Sequence, residues 1–381
     1  MGTAKHIYFS GLNGLRFFAA LAVIITHIEL IKEQMDLPSL HSSNKIVFEL
    51  GGLGVVFFFV LSGFLITYLL LKEKEQTGTI NVRKFYLRRI LRIWPLYFLI
   101  VALGFFVLPN LQFMDIPYFT KFKTHLSMIN LVLFFVMLPN LAFAIFKPLP
   151  HIGQSWSIGV EEQFYLIWPW ILKKSKNILK TLFVIIVLLV LLKISVLIIF
   201  KTSPHNENLL ILKNFIAMLK IESMAIGGIG AWMVFKKKFF QKILNNYILI
   251  VAIVAIFIMI YFTPDRLQDA SFLLYSVLFL IIILNVSLNT NSFIQIENKT
   301  FVFLGNISYG LYMYHLIVIA AFIGFLRHIG FAVDNSIVSQ LVLYTGVVSL
   351  TVLVSWLSYR YFEMWFLKIK HKFTVVKSDS F

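Results

Sequence analysis

Residues 181–200 read TLFVIIVLLVLLKISVLIIF, a run of twenty residues in which Lys193 is the one charged side chain. A helix of about twenty apolar residues is long enough to cross the hydrocarbon core of a bilayer. A second run, ILIVAIVAIFIMIYF at 248–262, approaches that length, and the whole chain is 59% hydrophobic and 13% charged. These features predict an all-α, polytopic integral membrane protein, built as a helical bundle.

The positive charges of the chain predict its orientation in the membrane. The formal net charge is +17, and basic residues cluster between the apolar runs at 72–92, 173–180 and 236–242 and again at 360–372. Because cytoplasmic loops are enriched in lysine and arginine, this pattern indicates membrane topology and not nucleic-acid binding. Both termini are then cytoplasmic, with about ten predicted transmembrane helices: 12–30, 49–71, 90–108, 158–172, 179–200, 212–235, 246–262, 270–288, 307–326 and 338–359.

The apolar segment 126–147 does not fit as a further span, because counting it would conflict with the charge rule. Its Pro139 favours a broken or re-entrant piece. The predicted organisation is a single membrane domain at 1–365 and a short basic cytoplasmic tail at 366–381, with no appended soluble domain. The chain contains no cysteine, which excludes disulfides and thiolate ligands, and we expect no metal site.

Two ionisable residues, Arg16 and His27, lie eleven residues apart in the first predicted span. Eleven residues make about three helical turns, so both side chains share a face and lie about 16 Å apart along the axis. Such groups within a membrane usually serve a site, a relay or a pathway. The alternative is that Arg16 snorkels to the inner interface while His27 caps the outer end of the helix.

Three arginines, Arg88, Arg89 and Arg92, lie close together in FYLRRILRIWPLYF at 85–98. Arg89 and Arg92 are neighbours on a helix surface, and the planar guanidinium group suits phosphate. The arginines predict a cradle for an anionic nucleotide at the inner mouth of the bundle. The alternative is that these arginines only anchor the helix at the cytoplasmic interface, as the enrichment of cytoplasmic loops in positive charge predicts.

Adjacent carboxylates, Glu161 and Glu162, open an apolar helix in HIGQSWSIGVEEQFYLIWPW at 151–170. One of them could orient a histidine within the bundle, or both could simply complement the helix dipole. Trp156, in the same stretch, is either an interfacial aromatic residue or a platform for a sugar ring.

Two other segments put polar groups inside predicted spans. Ser62 and Gly63 lie mid-span in FFFVLSGFLI, where small residues normally allow close helix packing. His315 lies about two turns into the span containing ISYGLYMYHLIVI, near Tyr309, and serves either packing or function. Ser62, Tyr309 and His315 join Trp156 as candidate substrate-binding residues.

Together and in this order, these segments resemble the membrane acyltransferase-3 family, which includes O-acetyltransferases of surface polysaccharides. LNGLRFFAALAVIITH at 12–27 has the family's arginine, ten further residues and then its histidine. The family's other recurrent stretches are similar to FFVLSGFLI, RRILRIWPLY, SWSIGVEEQFYLIWP, ISYGLYMYHL and SYRYFEMWF, which together extend over almost the whole chain. Two departures are Asn13, where the family commonly has aspartate, and a missing proline after Glu363.

The resemblance implies an acyltransferase of the bacterial cytoplasmic membrane. It would move an acyl group, acetyl by analogy, from cytoplasmic acetyl-CoA to a hydroxyl of a cell-surface or lipid-linked carbohydrate. His27 would be the catalytic histidine and Arg16 its companion, while Arg89 and Arg92 would fall on the motif that handles the donor. Some members carry an extracellular hydrolase-like domain. Because we expect no such domain here, the resemblance implies direct transfer, or delivery to a separate periplasmic acyl-acceptor protein.

In this hypothesis His27 deprotonates the acceptor, and Glu161 or Glu162 balances the resulting imidazolium. An acyl-histidine intermediate is the competing mechanism. The competing class of function is a transporter or flippase of a glycan or lipid, with Arg16, His27 and His315 lining its path. Binding of acyl-CoA separates the two classes, because a transporter has no need of that donor.

Overall fold

The computed structural model describes residues 8–120, 127–146, 148–238, 240–264 and 268–376, which contain helices and no β-strand. The sixteen α-helices of these residues are α1 (Leu12–Gln34), α2 (Lys45–Thr77), α3 (Val82–Ala102), α4 (Pro117–Thr120), α5 (Met128–Phe135), α6 (Pro139–Ile145), α7 (Ser155–Lys174), α8 (Ile178–Thr202), α9 (Glu207–Met218), α10 (Ile221–Phe235), α11 (Asn246–Phe262), α12 (Gln268–Leu288), α13 (Lys299–Asn306), α14 (Ser308–His328), α15 (Ile337–Ser358) and α16 (Met364–Lys370).

Seven helical segments in the described part are long and apolar enough to cross a membrane. They are α1, α2, α3 with its extension to Asn110, α8, α12, α14, and α15 with its extension to Phe373. The prediction of a multi-pass, all-α membrane protein is therefore confirmed, although seven such segments are fewer than the ten expected. Of the other three predicted spans, 158–172 lies within α7, 246–262 matches the shorter apolar helix α11, and 212–235 is divided between α9 and α10.

The division of 212–235 corrects the prediction of one continuous span. The helix stops after Met218, and a new one starts at Ile221. Between them, the buried Lys220 places its ammonium 4.0 Å from the centre of the Phe272 ring. The break thus gives the lysine a favourable position over an aromatic face.

The segment 126–147 is broken, as predicted. Its described part forms α5 and α6, of eight and seven residues, separated by a turn in which Met137 has a φ of 62°. Pro139 occupies the start of α6, where its missing N–H costs nothing. Neither helix is long enough to cross a bilayer. Residues 126 and 147 lie outside the described residues.

Helix α2 is the centre of the bundle and packs closely against α10. A Cβ atom at Gly63 would lie 1.9 Å from the carbonyl oxygen of Met224, and one at Gly227 would lie 2.0 Å from that of Val60. The two backbones therefore touch at a pair of glycines, which bears out the packing role predicted for Gly63. This close crossing fixes the position of the α2 face that carries Ser62.

The C-terminal segment continues as helix across residue 366, where the sequence analysis placed the start of a basic tail. After α15 the chain forms one π-helical turn at Tyr359–Glu363 and continues through α16 to Phe373. Helix α16 packs against α3, with Leu367 buried. The predicted tail is therefore part of the folded bundle at least to Phe373, and its last residues, 377–381, lie outside the described part.

Candidate functional site

A cavity of about 120 Å³ opens between α1, α2, α3, α7 and α14. That volume is enough for several water molecules. Four charged residues line it: Arg16, Arg89, Arg92 and Glu161. The other lining residues are apolar, aromatic or hydroxyl-bearing: Val55, Phe58, Phe59, Leu61, Ser62, Leu65, Ile93, Ser157, Ile158, Tyr165, Ser308, Tyr309 and Tyr312. The cavity thus combines four charged side chains with largely apolar walls.

Two helices bring the arginines of the cavity together. Helix α3 carries Arg89 and Arg92, whose spacing of three residues places both on the cavity side. Helix α1 supplies Arg16, whose Nη1 donates to Asn13 Oδ1 over 3.2 Å. Asn13, which stands where the family commonly has aspartate, therefore still accepts a hydrogen bond from Arg16 but brings no negative charge.

Arg88 is the third arginine of the predicted nucleotide-binding group, and its surroundings differ from those of Arg89 and Arg92. It does not belong to the cavity lining, because adjacent helical residues point about 100° apart. Its Nη2 lies 3.1 Å from Glu73 Oε2, and its Nη1 donates to the Phe373 carbonyl oxygen over 2.9 Å. Arg88 thus ties the C-terminal segment to α3.

The two adjacent carboxylates also face different surroundings. Glu161 lines the cavity, and its Oε2 accepts a hydrogen bond from the Tyr165 hydroxyl over 3.0 Å. Since that hydroxyl has a single proton, Ser62 Oγ donates to Tyr165 over 2.7 Å. Glu162 lies outside the lining, with its Oε2 accepting from Trp94 Nε1 over 3.0 Å. Among the described residues, the buried Glu162 Oε1 has no hydrogen-bond partner.

His27 lies against a second histidine. Its ring centre is 4.9 Å from that of His315 on α14, in an edge-to-face arrangement. His27 Nδ1 lies 2.8 Å from the carbonyl oxygen of Val23, and His315 Nδ1 lies 2.6 Å from that of Tyr312. A carbonyl can only accept, so each Nδ1 carries the proton and each Nε2 keeps a lone pair. The buried Nε2 of His315 has no partner within the described part of the chain.

The histidine pair lies just beyond the wall of the cavity. Tyr312 lines the cavity, and its ring centre is 5.7 Å from that of His315. The structure therefore separates Arg16, which faces the cavity, from His27, which lies behind Tyr312 and His315. The His27 ring contacts that of His315, whereas Glu161 accepts from Tyr165 and Glu162 from Trp94.

Of the remaining candidate substrate-binding residues, Tyr309 lines the cavity and Trp156 does not. Tyr309 lines the cavity and donates to the Ile93 carbonyl oxygen over 2.9 Å. Trp156 does not line it and instead packs edge-on against Phe59, with ring centres 6.3 Å apart. Sequence reasoning missed Tyr165, although its position one turn after a cavity glutamate was a usable signal. No cluster of three or more potential metal ligands occurs in the described residues.

Comparison with known proteins gives the family. Residues 9–360 match the family model described as an acyltransferase domain, of the acyltransferase-3 type. The chain belongs to this family. The resemblance seen in the sequence motifs is thereby confirmed, and with it membership of a family of membrane acyltransferases.

Two relatives come from Staphylococcus aureus. An inferred O-acetyltransferase of strain COL is 30% identical over 403 residues, which cover 96% of this chain and 58% of the relative. The O-acetyltransferase OatA of strain NCTC 8325 / PS 47 is 28% identical over 382 residues, which cover 93% of this chain and 57% of OatA. The chain thus spans less than two thirds of the length of these relatives. No solved structure gives a significant match.

Proposed function

We propose that the protein is an acyl-CoA-dependent O-acetyltransferase of the bacterial cytoplasmic membrane, acting on a cell-surface or lipid-linked carbohydrate. The observation that carries this proposal is the cavity in which Arg16, Arg89 and Arg92 meet Glu161. Arginine binds phosphate oxygens through two parallel hydrogen bonds, and coenzyme A is rich in phosphate. Membership of an acyltransferase family supports the same class of reaction.

In this proposal Arg89 and Arg92 bind the donor's phosphates, and Arg16 lines the deeper part of its path. The acyl-bearing arm extends along the cavity towards Tyr312, whose ring lies 5.7 Å from that of His315 in the histidine pair. Ser62 and Tyr309 offer hydroxyl groups along this route. Glu161 offsets part of the positive charge, and its bond from Tyr165 holds the carboxylate in place.

His27 is the proposed general base. Because its Nδ1 donates to the Val23 carbonyl, the lone pair on Nε2 can take the proton of an acceptor hydroxyl. The resulting alkoxide attacks the thioester carbonyl, the carbon–sulfur bond breaks, and the departing thiolate recovers the proton from the imidazolium. His315 adjoins the His27 ring and fixes its orientation by edge-to-face contact. The alternative sequence forms an acyl-His27 intermediate first.

The acceptor follows from the family resemblance, with Trp156 as a proposed aromatic surface for a sugar ring. The acyl group passes directly to the carbohydrate or to a separate periplasmic protein. The protein acts within the lipid bilayer. The reaction requires no metal, because a thioester is already activated for acyl transfer.

The test is acetyl-CoA turnover by the purified protein in nanodiscs, with acceptors drawn from the host's surface-glycan extract. The wild type is compared with His27→Ala and with His328→Ala, a control that removes an exposed histidine at the end of α14. General-base catalysis contributes about 10²–10⁴-fold, so His27→Ala should lose at least about 100-fold in rate while staying folded. His328→Ala should match the wild type.

Mass spectrometry of the products identifies the acceptor. A glycan acetylated by the wild type and not by His27→Ala establishes both reaction and substrate. Absence of CoA binding and of transfer in the wild type would instead favour the transport hypothesis, in which Arg16, His27 and His315 line a path for a glycan or lipid.

A further inference from the structure

Lys370, on the C-terminal helix α16, has a buried side chain that the proposed reaction does not use. It is only 6% exposed, and lysines are rarely so buried unless they are paired. In the described part of the chain, no hydrogen bond or ion pair is formed by its ammonium group. Among the groups that act on it electrostatically are four cations, Arg92, Arg89, Arg88 and Arg16.

The position of Lys370 is built into the fold. Helix α16 packs along α3, and Leu367, one turn earlier, is buried. Three residues beyond Lys370, the Phe373 carbonyl accepts the bond from Arg88. The C-terminal segment is therefore fixed on both sides of Lys370, which holds its side chain beside the arginines of α3.

Three carboxylates that act on the arginines around Lys370 have hydrogen-bond partners other than its ammonium group. Glu73 pairs with Arg88, Glu161 accepts from Tyr165, and Glu363 accepts from Ser358 over 3.2 Å. A buried ammonium beside several guanidinium groups is unfavourable in a medium of low dielectric constant. A bound anion would offset that cost, and a phosphate matches both ammonium and guanidinium donors.

We infer that Lys370 belongs to the anion site with Arg89 and Arg92 and binds a phosphate group of the acyl donor. This inference rests on the proposed function, because it takes coenzyme A as the donor. It adds a cation from the far end of the sequence to the arginines of α3. In this inference the hydrogen bond from Arg88 to Phe373 holds α16 against α3 and so keeps Lys370 at the site.

The experiment measures CoA affinity by titration of the full chain in phosphatidylcholine nanodiscs, for the wild type, Lys370→Gln, Lys370→Arg and Lys368→Gln. Lys368 is a matched control, because it is exposed and lies two residues away on the same helix. A hydrogen bond to a charged group contributes enough that Lys370→Gln should weaken CoA binding about tenfold or more. Lys370→Arg should keep most of the affinity, and Lys368→Gln all of it.

A second measurement needs no variant and covers the case in which Lys370→Gln fails to fold. Amine labelling of the wild type, read by mass spectrometry, should be blocked at Lys370 and not at Lys368 when CoA is added. The same labelling with anionic lipid in place of CoA tests a lipid headgroup as the source of phosphate.

The outcomes separate the two proposals. Equal CoA affinity of Lys370→Gln and wild type, or labelling of Lys370 that CoA leaves unchanged, overturns the inference and leaves the proposed function standing. Protection by anionic lipid alone overturns it as well. A wild type that binds no CoA removes both this inference and the proposed function.

Discussion

Gly63→Ala is expected to disturb the centre of the bundle more than any other small change to α2. The added Cβ would lie 1.9 Å from the Met224 carbonyl oxygen, about 1.5 Å short of the 3.4 Å at which ordinary contact begins. The obstacle is backbone, so no side-chain rotation relieves it, and α10 must move away from α2. Overpacking costs up to about 3 kcal/mol, while alanine regains about 1 kcal/mol of helix propensity. The expected net loss in the free energy of unfolding is therefore up to about 2 kcal/mol.

The same displacement should reach the cavity. Ser62, the neighbour of Gly63, donates to Tyr165 over 2.7 Å and lines the site. If α2 took up half of the required displacement, this bond would lengthen from 2.7 Å to about 3.4 Å, beyond the usual range of O–H···O hydrogen bonds. Gly63→Ala should therefore lower acyl transfer as well as stability.

The assay is thermal unfolding in detergent, with acetyl-CoA turnover measured on the same preparations. Gly52→Ala is the matched control, because Gly52 lies on the same helix, is exposed, and would bring its Cβ only to 4.0 Å from the Phe272 ring. That variant should be neutral or slightly more stable. Equal melting temperatures and rates for the two alanine variants would refute the close contact between α2 and α10.

Two further changes test other contacts. Lys32 and Glu29 form a fully buried ion pair at 2.8 Å, and Lys32→Met leaves Glu29 without its cation. This variant should lose about 3–5 kcal/mol in the free energy of unfolding, which thermal melting measures. A melting temperature equal to that of the wild type would contradict this. Gly305→Ala would bring a Cβ within 2.4 Å of the Asn13 carbonyl oxygen and displace the helix turn that holds Arg16. We therefore expect CoA binding, measured by titration, to weaken several-fold. Unchanged affinity would show that the bond between Asn13 and Arg16 does not position the arginine for the donor.

Local sequence determined much of the architecture. Runs such as 181–200 become membrane-length helices because only a helix satisfies every backbone group in lipid. Pro139 broke the segment 126–147 through its own missing N–H, and Gly63 permitted a close helix crossing through its missing side chain. These effects act within a few residues, so they could be predicted without knowing the fold.

The positions at which helices break or end were harder to predict from the sequence. Nothing within 212–235 shows that Lys220 will lie on Phe272, because that ring comes from a distant helix. The boundary at residue 366 was placed by charge alone. Helix α16 continues past it, because Phe373 accepts a hydrogen bond from Arg88 of the distant helix α3 and Leu367 is buried.

For the candidate site, the sequence by itself determined the chemical types and the tertiary structure decided their grouping. Arg16 stood out because an ionisable group is costly in an apolar span, Arg89 because its guanidinium group suits phosphate, and Glu161 because it is a carboxylate that opens an apolar helix. Which of them share a cavity depends on how five helices pack, and that packing separates His27 from the arginines and gives it His315 as a neighbour. Such a contact joins residues far apart in the chain, so no spacing rule could have predicted it.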